Sequence, residues 1–152
     1  MSIPFYSASV GSYTQVLDGV AATLKKGADH AAETGLDLAE IVSTRLHDDM
    51  MPFHFQVAST CHHSWGAMQG MQAGRFTPPS FAQDLDYAGL QSLVTEAQEG
   101  VASVSEADAE ALADQSMVFA LGEREMPFTN QNFVLSFSLP NFYFHATTTY
   151  DI

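Results

Sequence analysis

The chain has 152 residues, enough for one domain that buries about two thirds of its unfolded surface and needs no staple. Five basic residues stand against eighteen acidic ones, and the formal charge of −13 repels both nucleic-acid phosphate and an anionic membrane surface, so neither is an expected partner. No apolar run reaches the ~18 residues that span a bilayer, and a 46% hydrophobic, 11% aromatic composition is that of a globular chain rather than a disordered one.

Apolar residues at Tyr6, Val10, Tyr13, Leu17, Val20, Leu24 and Ala28 fall at steps of four and three, which predicts an amphipathic helix from Tyr6 to about Glu33. Gly35 stops it. Asp37 with Glu40 three residues on resembles a capping box that opens a second helix at Leu38. That helix carries Ile41, Leu46, Phe53, Val57, Cys61, Trp65 and Met68, with Pro52 inside it and a kink expected near Asp48 to Asp49.

Gly70 to Ser80 reads as a loop, and a third helix is expected from Phe81 through Leu90, Val94 and Val101 to Val104. After an acidic stretch, Glu106 to Asp114, the run Met117–Leu121 precedes a turn at Gly122-Glu123. Phe133, Leu135, Phe137 and Leu139 then alternate with Val134, Ser136 and Ser138, so Met117 to Leu139 reads as a hairpin. A helix starting at Thr129 competes with that reading, but Asn132 stands where a capping box would have Glu or Gln. Pro140 suits the first turn of a fourth helix that runs to the chain end. These patterns predict an all-α four-helix bundle, with a small hairpin or irregular connector between helices three and four, as a single domain over 1–152.

Chemistry-bearing residues gather in two places. Asn141 and His145 stand four apart on one face of the fourth helix, and Asp49, His54 or Gln56 of the second could face them across the bundle. Such a set could ligate a metal. It also suits a core histidine hydrogen-bonded to Asn or Tyr, because Asn is a poor ligand for transition metals. His47, Asp48 and Asp49 read as a solvated face on which Arg45 and Asp49 could pair.

Cys61 lies on the apolar stripe as a small hydrophobe, and His62 and His63 beside it read as surface or interface residues. As the sole cysteine, Cys61 excludes an intrachain disulfide and a cysteine-rich metal site. Met1 to Tyr6 lacks the pattern of a secretory signal, so the cytoplasm is the expected location. The consecutive Phe142, Tyr143 and Phe144 must spread around the helix, which suggests a homodimer. No Ser-His-Asp arrangement, glycine-rich phosphate loop or paired-cysteine motif appears.

The string Arg45-Leu-His-Asp-Asp-Met-Met-Pro-Phe-His-Phe-Gln56, with Leu139-Pro-Asn-Phe-Tyr-Phe-His145 and Thr147-Thr-Thr-Tyr150, resembles a bacterial and fungal family of unknown function, numbered 1993, within the DinB/YfiT-like superfamily. The resemblance covers nearly the whole chain and implies a DinB-like four-helix bundle, usually dimeric. Many members of that superfamily carry three histidines that bind a divalent metal, one from helix two and two from an H-x3-H pair on helix four. Here Asn141 and His145 fall where that pair would stand, so the first histidine is replaced, and Gln56 or His54 would have to serve from helix two. Similar chains run on past Ile152 by a turn or more. The expected site is therefore a pocket between helices two and four lined by Asp49, Gln56, Asn141, His145 and Tyr150, taking a small molecule. A metal set of His145, Asn141 and His54, holding zinc or nickel, is the alternative to no cofactor.

Overall fold

The computed structural model describes residues 3–79 and 85–152. The first rod is a π-helical turn, Ser7–Gly11, continued by α1 (Ser12–Thr34), with Tyr13, Leu17, Val20, Leu24 and Ala31 buried along the expected stripe. Gly35, at φ 77°, returns its N–H to Ala31 O and ends the helix in a left-handed conformation that costs glycine little. Asp37 then opens α2 (Leu38–Ser43) by accepting the Ala39 N–H at 2.9 Å.

The second helix breaks where a kink was expected. Between Thr44 and Pro52 the backbone is not helical, and Pro52, extended at φ −71° and ψ 170°, starts α3 (Phe53–Cys61). Proline brings no N–H and disfavours a helical residue before it, so it suits a helix start better than an interior. The Phe53 N–H donates back to Thr44 O at 2.8 Å, closing the excursion into a loop. With no helix here, Arg45 and Asp49 do not pair: Asp49 binds His47 at 2.6 Å, and Arg45 donates to the Met50 carbonyl.

From α3 the second rod continues through a π-helical turn, His62–Gly66, into α4 (Ala67–Ala73), which ends at Gly74 with φ 71°. Gly70, expected in a loop, is thus helical and buried. A two-residue strand β1 (Arg75–Phe76) follows. The third rod is α5 (Tyr87–Ala102), opened by Asp86, whose carboxylate accepts the Gly89 N–H at 2.8 Å. Phe81, the expected start of this helix, lies outside the described residues. The acidic stretch folds as α6 (Glu106–Leu112) under a Ser105 cap.

Strand β2 (Ser116–Leu121) turns at Gly122, φ 59°, into β3 (Arg124–Thr129). The turn lies where the sequence indicates, but the second strand does not lie at 133–139. The fourth rod occupies that stretch: α7 (Asn130–Phe133), a π-helical turn Val134–Ser138, and α8 (Leu139–Asp151). Thr129 caps it alone, its hydroxyl accepting the Asn132 N–H at 3.2 Å, so no capping box is needed. Leu135, one of the alternating residues, is 51% exposed, whereas Phe133, Ser138, Phe142 and Ala146 are buried. The step of five from Phe133 to Ser138 is the π turn, and it hides the helical period.

β1 pairs parallel with β2 (Arg75 opposite Val118), and β2 antiparallel with β3, so the all-α expectation gives way to a helical bundle carrying a three-stranded sheet. The sheet joins the bundle through aromatic rings: Phe119 lies 4.6 Å from Phe137, and Phe76 5.0 Å from Phe133. In the bundle α1 packs on α5 and α8, and α3 packs on the same two, closing a ring around Tyr13 and Phe142, whose centroids are 5.1 Å apart. Of the three consecutive aromatics, Phe142 is buried, while Tyr143 and Phe144 are 43% and 55% exposed. Among the described residues no helix is long and apolar enough to cross a membrane.

Thr129→Ala should cost about 1 kcal/mol of stability by chemical denaturation, the usual loss for an N-cap hydroxyl. An unchanged unfolding midpoint would place the start of the fourth rod elsewhere.

Candidate functional site

The π turns of the second and fourth rods face each other. Ser138 Oγ donates to the carbonyl of His63 at 2.6 Å, which uses its only proton, so the Tyr13 hydroxyl donates to Ser138 Oγ at 2.8 Å. Burial pushes the Tyr13 phenol pKa well above its ordinary value. This buried chain fixes the rods in register and sets His63 on the inner side of its turn.

Gln56 is 2% exposed. Its amide nitrogen donates to the Met51 carbonyl at 2.8 Å, an atom that can only accept, so the amide oxygen faces His145 and takes the proton of Nδ1 at 2.8 Å. That leaves His145 Nε2 with a lone pair and no hydrogen bond among the described residues. The ring stands between Phe55 and Phe144, at centroid distances of 5.8 and 5.2 Å.

The inner face of His145 stacks on His63, with centroids 5.9 Å apart and planes within 15°. His63 is 7% exposed and rests on Phe76 and Phe137. Its Nδ1 is buried without a partner among the described residues. Desolvation lowers His145 to about 4 and His63 to about 3, the latter helped by the neighbouring imidazoles of His145 and His62. Both rings are therefore neutral at pH 7.

Of the residues expected at the site, the fold brings Gln56 and His145 into contact. Asn141 shares their helix face but donates its amide N–H to the Phe137 carbonyl of its own rod at 2.7 Å. Burial, then the charge of Arg45, lowers the His54 pKa, which sets that ring beside the Thr44–Pro52 loop. Asp49 is exposed in that loop on His47. Tyr150 is 74% exposed and lines a groove between α1 and α8 with Val16 and Tyr143, away from Gln56.

His63, expected at the surface or at an interface, is instead the buried half of the site: it stands seven residues after Gln56, two helical turns on, and so shares the face of the second rod that meets α8. The signal that could have found it is that spacing, Gln56, Thr60 and His63 at i, i+4 and i+7. Cys61 is buried as expected, and burial, then the charge of Glu96, pushes its thiol up to about 12. Among the described residues no group of three or more His, Cys, Asp or Glu can hold a metal. Asn141 is engaged with backbone and both ends of the Gln56 amide are in use. The residues present do not make the three-ligand metal set that the resemblance implies.

The helices thus form a bundle with an imidazole pair where the second rod meets the fourth. The chain is similar in fold to a crystal structure of a DinB family member protein from Shewanella denitrificans, with a TM-score of 0.76 and 20% identity over 95% of this chain and 82% of that one. The chain itself belongs to the family described as Domain of unknown function (DUF1993), which it matches over residues 5–152. No curated protein matches it.

The two depressed histidines set the acid response. Below the ordinary imidazole value of 6.5 the unfolded chain binds protons that the folded rings, at about 3 and 4, refuse, so stability falls as pH drops from 6.5 toward 4. Unfolding midpoints measured across that interval should fall less steeply in His63→Leu than in the parent protein. Equal slopes would show that His63 is not held neutral by the fold.

Proposed function

We propose that this protein binds a small polar ligand at the junction of its second and fourth rods, held by the His145–His63 pair, and that it carries no resident metal there. The supporting observation is the unused hydrogen-bonding capacity of two adjacent rings: among the described residues Nδ1 of His63 is buried without a partner, and Nε2 of His145 is left over once Gln56 has taken the Nδ1 proton. A buried polar atom without a partner costs ~1–3 kcal/mol. His145, part exposed between Phe55 and Phe144, is the outer contact, and His63 the inner one. His145 Nε2 is fixed as an acceptor, whereas neutral His63 keeps one N–H and one lone pair, so the fitting ligand presents an N–H or O–H donor to His145. A divalent ion would need most of its ligands from such a bound molecule, because the protein does not complete the set.

A second reading is favoured by the Gln56 bonds, which tie the Met51 backbone to α8: a structural network that fixes the two rods and binds nothing. One variant separates the readings. Imidazole nitrogen resonances of His63 and His145 should move together when a library of small hydrogen-bond donors is titrated in, and His145→Ala should abolish that uptake while the fold survives. A loss of ~1–3 kcal/mol in His145→Ala, as for a broken buried network, with no ligand perturbing either ring in the parent, would establish the structural reading. Metal analysis of untagged protein should find no stoichiometric zinc or nickel. Stoichiometric metal that disappears in His145→Ala would overturn the metal-free assignment.

A further inference from the structure

A second cavity lies on the opposite side of the second rod. It has a volume of about 240 Å³, which at ~30 Å³ each is room for roughly eight water-sized groups. Cys61, His62 and Trp65 form one wall, and Leu93, Glu96 and Ala97 of α5 the other. Each trio sits at helical spacing, so these are two facing stripes that part rather than interdigitate.

Two glycines shape the walls. At Gly100 a Cβ would stand 2.4 Å from the indole of Trp65, so the ring lies flat on bare backbone. At Gly66 a Cβ would stand 2.7 Å from Nδ1 of His62. His62 Nε2 meets the Thr77 carbonyl at 2.8 Å and must donate to it, which leaves Nδ1 as a lone-pair acceptor over Gly66, itself part of the cavity lining. The His62 ring is held in place by stacking on Phe76 at 4.5 Å.

Among the described residues no Lys or Arg lines this cavity, and Glu96 is the one charged group there, beside the uncharged Gln69 amide. Glu96 makes no ion pair among the described residues, although its charge reaches the wall and contributes to the raised pKa of the Cys61 thiol. The lining thus offers a carboxylate, an imidazole lone pair, an indole face and the amide oxygen of Gln69, each suited to a cation with N–H donors, and a net charge of −13 draws cations toward it. Leu93 and Ala97 leave the rest of the space apolar.

We propose that the cavity between α3 and α5 binds a small organic ammonium ion, with Glu96 and Nδ1 of His62 taking its N–H protons and Trp65 and Leu93 covering its apolar substituent. This site is separate from the His63–His145 pair and does not depend on it.

Trp65 is the only tryptophan in the chain, so its fluorescence reads the cavity directly. Phenethylammonium should produce a saturable change in emission, 2-phenylethanol of the same shape should bind more weakly, and phenylacetate should not bind. Glu96→Gln, a change at an exposed position, should fold normally and weaken the ammonium by roughly tenfold or more (about 1.4 kcal/mol), whereas His145→Ala should leave it unaltered. The assignment is overturned if neither butylammonium nor phenethylammonium gives a saturable change at millimolar concentration. It is equally overturned if the alcohol binds as tightly as the cation, or if Glu96→Gln binds it as well as the parent.

Discussion

The hydroxyl of Ser138 carries the constraint on which the rest of the structure depends. It receives a proton from Tyr13 on the first rod and gives one to the His63 carbonyl on the second, while belonging itself to the fourth. All three groups are buried, so loss of either bond would leave a polar atom in an apolar interior. A rod that slid by one residue would break the chain. The π turns that carry Ser138 and His63 have carbonyl ladders that slip by a residue relative to an α-helix, and here a side-chain hydroxyl meets the carbonyl so exposed. Stacking of His63 on His145, and the seating of Phe76 against Phe137, are consequences of that fixed register.

His62 and His63 show the effect of the widened turn. They are neighbours in sequence with rings 5.9 Å apart, yet one faces the cavity beside α5 and the other faces α8. A single turn of the second rod thereby equips two faces with different chemistry: an acceptor beside a carboxylate on one side, and a neutral ring pair with spare nitrogen atoms on the other. Burial lowers the pKa of both rings.

The sequence displays the parts of this fold that rest on regular period and local chemistry. The α1 stripe, the Gly35 stop, the Asp37 cap, the turn at Gly122 and the burial of Cys61 are all legible, because each depends on residues a few positions apart. The facing of Gln56 and His145 is legible too, through their place on opposed helices. Illegible was the fourth rod from 130 to 139, where a step of five lets the alternation imitate a strand, whereas the inward place of His63, two helical turns after Gln56, lay within reach of the helical period. Asp49 and Tyr150 were misplaced for different reasons, the first because a proline started a helix and left the preceding residues as a loop, the second because the last turn of α8 carries it toward α1. Nothing in a single sequence reports which side-chain nitrogen atoms end up without a partner.

The small sheet ends in a free margin at β3, and its register shows how that margin is kept closed to other strands. The Val118 N–H is given to Gly74 O on the β1 side. Its partner across the hairpin, Pro127, therefore sits at a position whose nitrogen faces outward, away from β2. A proline nitrogen has no hydrogen to offer, so the outer edge lacks a donor at its middle. Arg75 reaches across β2 to Glu125 at 2.8 Å and fastens the margin back onto the sheet. With β1 only two residues long at the other edge, both borders of the sheet are poor templates for the addition of another strand.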